Sequence, residues 1–299
     1  MSRQLKLIIP KGRLQENVLA LLARAGVELT FSHRSYRPAC SDPELAVKLV
    51  KSQNVPSLIA LDRHDAGFTG LDWVTEHTLA MQGQTTPASV TELLDLGSNP
   101  VRIVVAVPEA LAGGDYRNRP IVVASEYTEL SKQYIAQQGL NAYFLKTYGA
   151  TEALPPEDAD MIIDNTATGA TLVQNRLTII DDVLRSTTRF VANSVSMQED
   201  WKREKLETLV LLMQSAMNAD QRMLVEMNVD ATVLDAVVAM LPAMKAPTVT
   251  PLFHKEGHHE AGFAVKAAVP NKQLPSLILK LKQAGARDIL AYRLEKLVP

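Results

Sequence analysis

An apolar run, Met161 to Asp164, ends in a carboxylate and is followed by Asn165-Thr166-Ala167-Thr168-Gly169-Ala170-Thr171-Leu172. A phosphate is met best by backbone N–H groups in a concave turn and by hydroxyl donors. Gly169 lets the chain turn and approach a ligand closely. The hydroxyls of Thr166, Thr168 and Thr171 can donate to phosphate oxygens, and Asp164 can accept from two neighbouring ribose hydroxyls. One stretch would then grip both ends of a ribose 5-phosphate. The alternative is that Asn165 or Thr166 caps a helix running from about Thr171, since both residue types favour such positions whatever they bind.

A second chemical signal lies near the start. Leu5 to Ile9 reads as a strand, Pro10-Lys11-Gly12-Arg13 interrupts it, and Leu14, Val18, Leu21, Leu22 and Ala25 recur at helical spacing until Gly26. The order is strand, cationic glycine loop, helix. Ala66-Gly67-Phe68-Thr69-Gly70 reads as a strand end turning into Leu71-Asp72-Trp73.

Composition bounds what these signals can mean. At 299 residues and 46% hydrophobic content the chain has room for two or three globular domains, and disorder as its main state is excluded. The net charge of -2 supplies no basic field for nucleic acid or anionic lipid, so an anion must be bound by a local site. The single Cys40 cannot form an internal disulfide, no apolar segment approaches the length of a membrane span, and the N-terminus lacks the core of a secretion signal. A reducing cytoplasm is expected.

Alternating strand and helix patterns predict a mainly parallel α/β layer. Val47 to Val50 and Ser57 to Leu61 read as strand or buried-helix pieces. Asn99-Pro100 marks a boundary, with strands at Val101 to Val107 and Ile121 to Ala124 and a helix at Glu129 to Gln138 beyond it. Leu177 to Ile180 and Arg189 to Ala192 read as strands that return to the first unit. We expect lobe I over 1–98 and 182–205, lobe II with the Thr/Gly loop over 99–181, a connecting helix over 206–221, and a C-terminal domain over 222–299. The last reads βαββαβ, with strands at Met223 to Asn228, Thr248 to Phe253, Phe263 to Val269 and Asp288 to Tyr292; this is the ferredoxin-like plan of small ligand-sensing domains.

Together these blocks resemble the long form of ATP phosphoribosyltransferase, over essentially the whole chain. Residues 10–14 match its Pro-Lys-Gly-Arg-Leu segment. Arg34-Ser35-Tyr36-Arg37-Pro38, Ser41-Asp42-Pro43-Glu44 and His64 through Trp73 resemble the blocks that follow. Gly149-Ala150-Thr151-Glu152 is similar to a Gly-Ser-Val-Glu segment, and Asp164 to Leu172 corresponds to the phosphoribosyl loop. Lys245 to Leu252, Ala284 to Leu290 and the ending Leu294 to Pro299 resemble the long form's C-terminal domain.

The resemblance implies an α/β fold: a two-lobed, periplasmic-binding-protein-like catalytic core with a ferredoxin-like regulatory domain. It implies attack by adenine N1 of ATP on C1 of phosphoribosyl pyrophosphate, releasing pyrophosphate in the first step of histidine biosynthesis, with Mg2+ sharing the charge. Lys11 and Arg13 are then candidates to neutralise pyrophosphate, against a reading as ordinary surface charge. Asp164 and Glu152 would hold the ribose hydroxyls and favour positive charge at the anomeric carbon, against readings as a cap or an exposed acid. Gly12, Thr69, Gly70, Leu71 and Asp72 would shape the ATP wall, against a tight buried turn. Thr248, in a Pro-Thr turn, would hydrogen-bond inhibitory histidine with Asn228, Met244 and Ala291 nearby, against plain turn chemistry. A homohexamer exchanging with a dimeric active form, without nucleic-acid or membrane partners, completes the expectation.

Two segments depart from the pattern. Tyr127-Thr128-Glu129-Leu130-Ser131-Lys132-Gln133-Tyr134 stands where the family has Tyr-Pro-Asn-Leu-Thr-Arg-Arg-Tyr, losing a proline and both arginines. The stretch Phe253 to Ala261 carries His254, His258 and His259, which read as a metal set or as a solvated turn. Two other classes compete with the transferase: a two-lobed binding protein without catalysis, and a cytoplasmic phosphoribosyltransferase with another nucleophile.

Overall fold

The structure is a computed structural model that describes residues 3–32, 35–244, 246–253 and 262–299; the three histidines 254, 258 and 259 lie outside them. The chain divides into two compact units, the first running to Ala20 and from Val27 to Leu206, the second comprising Leu21–Gly26 and Glu207–Pro299.

In the first unit, lobe I contains β1 (Leu5–Lys11), α1 (Gln15–Arg24, whose last turn falls in the second unit), β2 (Leu29–Thr30), β3 (Ala39–Cys40), β4 (Leu45–Lys51), α2 (Val55–Ala60), β5 (Ala66–Gly70), α3 (Leu71–Ala80) and β6 (Val90–Asp95). Its main sheet has the order β4-β1-β5-β12-β6, with β12 being Thr188–Asn193. Lobe II contains β7 (Val101–Pro108), β8 (Ile121–Ser125), α4 (Thr128–Gln138), β9 (Ala142–Lys146), β10 (Met161–Thr166), α5 (Ala170–Gln174) and β11 (Leu177–Ser186), ordered β11-β7-β10-β8-β9. Strands buried on both faces read as continuous apolar runs, and β7 is such a run from Ile103 onward because separate side-chain clusters cover its two faces.

Two expectations are corrected. The sheets are mixed rather than mainly parallel: β1 is parallel to β4 and β5, whereas β12 is antiparallel to β5 and β6, and β7 is antiparallel to β10 and β11. The strand that follows each crossing, β7 in lobe II and β12 in lobe I, is antiparallel to both of its neighbours. The crossing also falls at Thr187 rather than at 181/182, since β11 stays paired with β7 as far as Ser186. Register shifts on either side of the acidic pair Asp181-Asp182 break the period-2 pattern there, so the middle of a strand looks like its end.

The two crossings run side by side. Thr188 N–H donates to the Ser98 carbonyl (3.0 Å), and Leu96 N–H donates to the Thr188 carbonyl (2.9 Å). Asn99 sits at positive φ (51°), and its side-chain amide donates to the Arg13 carbonyl at 3.2 Å. The hinge therefore reaches the cationic glycine loop directly.

The second unit carries the C-terminal part of α6 (Asp200–Asp220), then β13 (Arg222–Asp230), α7 (Leu234–Met240), β14 (Thr248–Pro251), β15 (Gly262–Pro270), α8 (Leu274–Gln283) and β16 (Arg287–Arg293). The antiparallel order β14-β15-β13-β16 is the ferredoxin-like arrangement. Val225, Met227, Val229, Val265, Ala267 and Val269 alternate toward the core with Val237, Leu277 and Leu281 of α7 and α8.

Candidate active site

The phosphate-type loop forms as the sequence suggests. Strand β10 delivers Asp164 and Thr166 at its carboxyl end, and the chain turns at Gly169 (φ 82°) into α5. Gly169 N–H donates to Thr166 Oγ1 at 2.9 Å, and Ala170 N–H points at Thr168 Oγ1 at 3.4 Å. Ala167, Thr168, Ala170 and Thr171 are exposed, whereas Leu172 is buried in the lobe II core and anchors the turn. With only five residues α5 carries a small dipole, and the Gly169 and Ala170 N–H groups face the turn's own Thr166 and Thr168 hydroxyls.

A cavity of about 250 Å³ opens over this loop, lined by Glu126, Gly149, Ala150, Glu152, Asp164, Asn165, Thr166, Thr171 and Leu172. Glu152 is brought there by a tight turn in which Gly149 and Ala150 both adopt positive φ (113° and 50°). Burial pushes the Asp164 carboxyl up to about 6; the facing Glu126 and Glu152 carboxylates push the same way, against hydrogen bonds from the Asn165 N–H and Thr151. The Asn165 N–H lies 2.7 Å from Asp164 Oδ1. Three carboxylates around one half-buried space favour a ligand that is, or becomes, positively charged.

A second cavity of about 180 Å³ is lined by Lys11, Arg13, Ser52, Gly70, Asp72, Trp73, Glu126, Tyr127 and Asn165 among others. The two cavities share Glu126 and Asn165, so they adjoin across the lobes. Gly12, at φ 91°, makes the turn that sends Lys11 and Arg13 to this wall; Lys11 Nζ lies 4.3 Å from the Tyr36 ring centre, and Arg13 Nη1 donates to the Asn99 carbonyl at 3.2 Å. The site is thus acidic on one side and cationic on the other.

Three residues expected on the ATP wall have other tasks. Thr69 is fully buried and donates its hydroxyl to the Ser52 carbonyl (2.8 Å), while Leu71 lines neither cavity and donates its N–H to the Thr187 carbonyl (3.1 Å). Asp72 does reach the cavity wall, but its oxygens are occupied: Oδ2 accepts from Tyr127 Oη (2.7 Å) and Oδ1 from Ser186 Oγ (2.6 Å). Burial, then the Asp72 charge, hold the Tyr127 phenol far above its ordinary range, so it stays a donor. Gly70 is required because a Cβ there would lie 2.0 Å from Asp72 Oδ1. The turn is built as a tie between lobes, and only Gly70 and Asp72 of the predicted group touch the cavity.

Sequence reasoning missed Glu126, and it read Asn165 only as a helix cap; both line both cavities. The position of Glu126 directly after β8, at a strand's carboxyl end in an open α/β sheet, was the available signal. In the atypical segment, Lys132 lines neither cavity and pairs with Glu129 at 2.8 Å. Among the C-terminal candidates, Thr248 lies on edge strand β14 and Ala291 on the opposite edge strand β16, three strand spacings or roughly 14 Å apart. Asn228, on β13, donates to Asp288 Oδ2 at 2.8 Å. On one chain Thr248 and Ala291 therefore stand on opposite edges of the sheet, with Asn228 on a strand between them.

A two-lobed α/β core that sets a phosphate-type turn and a carboxylate trio against a cationic loop defines an enzyme for transferring a phosphorylated sugar. The family model described as ATP phosphoribosyltransferase matches residues 51–215, and the model described as HisG, C-terminal domain, matches residues 219–296. The chain is 39% identical to the ATP phosphoribosyltransferase of Pelotomaculum thermopropionicum, with 99% of this chain and 100% of that one aligned, and 37% identical to that of Desulforudis audaxviator with the same coverage. Among solved structures, the ATP phosphoribosyl transferase (HisG:HisZ) complex from Thermotoga maritima is similar with a TM-score of 0.60 and 27% identity, over 71% of this chain and 99% of that one. This chain belongs to the ATP phosphoribosyltransferase family and carries the family's C-terminal domain.

Proposed function

We propose that the adjoining cavities bind phosphoribosyl pyrophosphate and ATP and join them at C1 of the ribose. The 5-phosphate sits on the turn from Thr166 to Thr171, and the ribose hydroxyls face Asp164 and Glu152. The N1 lone pair of adenine forms the new bond to C1 as the C1–O bond breaks and its electrons leave with pyrophosphate. Positive charge growing on the sugar is stabilised by the carboxylates, and negative charge growing on pyrophosphate by Lys11 and Arg13. The observation that carries this reading is the sharing of Glu126 and Asn165 by two cavities, one walled by three carboxylates and the other reached by Lys11 and Arg13.

Among the described residues no group of three or more metal-ligating side chains forms a metal centre. Mg2+ is the proposed ion, carried mainly by the substrate phosphates, and the protein oxygens beside it would come from Asp164, Glu152 or Glu126 on the cavity wall. It would supply charge neutralisation on the phosphates. No described helix is long and apolar enough to cross a membrane, and the proposed location is the cytoplasm. For regulation, the proposed ligand is histidine, bound near Thr248, Asn228, Met244 and Ala291. Because Thr248 and Ala291 lie on opposite sheet edges, such a site requires a second copy, consistent with a homohexamer and a dimeric active form.

The test is pyrophosphate release from the purified chain with ATP, phosphoribosyl pyrophosphate and Mg2+, with the adduct followed by mass and histidine added in parallel. Adduct formation suppressed by histidine is the expected result. Absence of adduct under all conditions would refute the transfer, and adduct formation indifferent to histidine would refute the regulatory assignment.

A further inference from the structure

We infer that Glu76, which lines neither cavity, is a positioning residue for the transfer: from α3 in lobe I it caps α4 in lobe II and, with Asp72 and Tyr127, latches the segment that presents Glu126 to the cleft. The inference rests on the transfer reading above.

A helix start leaves N–H groups without intrahelical acceptors, and the residue just before it normally supplies a short polar cap. The residue before α4 is Tyr127, whose side chain makes no cap. The acceptors come instead from 53 residues away: Glu76 Oε1 and Oε2 accept from Glu129 N–H at 2.9 and 3.0 Å, and Oε2 also accepts from Leu130 N–H at 2.9 Å. These are charge-assisted bonds to the positive end of an 11-residue helix, the stronger kind of cap.

One turn earlier on the same face of α3, Asp72 accepts from Tyr127 Oη, and Trp73 stacks on the Tyr127 ring with centroids 4.5 Å apart. Ser186, at the end of the crossing strand, donates to Asp72 and accepts its N–H at 3.1 Å. Glu126 lies between β8 and this capped, stacked start of α4. The latch thereby fixes where the carboxylate shared by both cavities stands, and it fixes the opening between lobes.

Loosening the latch lowers the fraction of molecules already in the binding-competent arrangement. Apparent substrate affinity falls by that fraction, whereas a saturated enzyme turns over as before. Glu76→Gln removes the charge and sets an amide against two donors. We expect the KM of both substrates to rise roughly fivefold, the size of a lost cap, with kcat within about twofold of wild type. A merely structural role would instead lower kcat through loss of folded enzyme and leave KM unchanged, and that result would overturn the inference.

Hydrogen exchange on the substrate-free chain gives an independent arm. The Glu129 and Leu130 amides should exchange faster in Glu76→Gln while Val123 in β8 does not change; equal exchange at both sites would overturn the latch. Should Glu76→Gln fail to fold, Ser186→Ala, which loosens Asp72 without touching the cap, is expected to raise both KM values by a smaller factor, and unchanged values would count against the latch. The exchange arm needs no substrate, so an inactive wild type would refute the transfer while the latch is judged on exchange alone.

Discussion

The Asp164→Asn variant should be more stable than wild type and far less active. The carboxyl titrates at about 6 in the folded chain against an ordinary value of 3.8, chiefly because burial disfavours its charge. A shift of about two units corresponds to about 3 kcal/mol of penalty on holding the ionised form in place. Asparagine keeps the oxygen that accepts the Asn165 N–H and turns an amide toward Glu126 and Glu152, where it can donate. The sign follows from linkage. Between the two pKa values the folded state binds more protons than the unfolded state, so this group's penalty is absent below about pH 4 and complete above about pH 6. Thermal unfolding of both proteins from pH 4 to 8 is the assay. The variant's advantage should be near zero at the acid end and reach about 2–3 kcal/mol by pH 7, raising the midpoint by several degrees. Turnover should fall by at least a hundredfold, since a lost charge contact to the transition state has that scale. An advantage independent of pH, or a variant less stable at pH 7, would refute the assignment of burial as the cause.

The acid limb of kcat/KM should follow Asp164, with an apparent pKa near 6, and Glu126→Gln should move that limb to lower pH because one like charge is removed; a limb unmoved by the change would dissociate Glu126 from Asp164. Gly70→Ala should cost about 2 kcal/mol in thermal unfolding, since the new Cβ meets Asp72 Oδ1 at 2.0 Å and Asp72 is held by Tyr127 and Ser186; a neutral outcome would show that the tie is slack. Burial, then Lys48 and Lys6, hold His64 down to about 4 from 6.5, so its neutral form is the folded one and wild type should lose stability as pH falls through that window. His64→Gln should remove about 2 kcal/mol of this loss, as read from unfolding midpoints at pH 7 and pH 4.5.

What was legible in the sequence was local. The strand from Met161, the turn at Gly169 and the cationic loop from Lys11 to Arg13 each draw on residues within one short segment, and each formed as expected. The fate of Asp72 was not legible: its partners Tyr127 and Ser186 are 55 and 114 residues away, and nothing in Gly-Leu-Asp-Trp distinguishes a ligand contact from a tie. Strand direction failed for the same reason, because parallel and antiparallel pairing are settled by where the chain crosses between lobes. Glu126 was overlooked since a lone glutamate acquires meaning only when two cavities meet around it.

The unusual segment from Tyr127 to Tyr134 shows how these levels combine. The proline and the paired arginines are absent, yet α4 forms, because Glu76 supplies its cap from the other lobe and Lys146 Nζ donates to the Glu126 carbonyl (2.6 Å) and Thr128 Oγ1 (2.9 Å). Lys132, the cation left in the segment, is turned to Glu129 and reaches neither cavity. Of the residues lining the two cavities, the cations are therefore Lys11 and Arg13, both in lobe I, whereas Asp164, Glu152 and the phosphate-type turn are in lobe II. In the proposed reading pyrophosphate and ribose phosphate are held from opposite lobes, so neutralising the leaving group depends on the distance between lobes. A chain arranged in this way has reason to fix that distance with buried side chains rather than leave it to substrate binding.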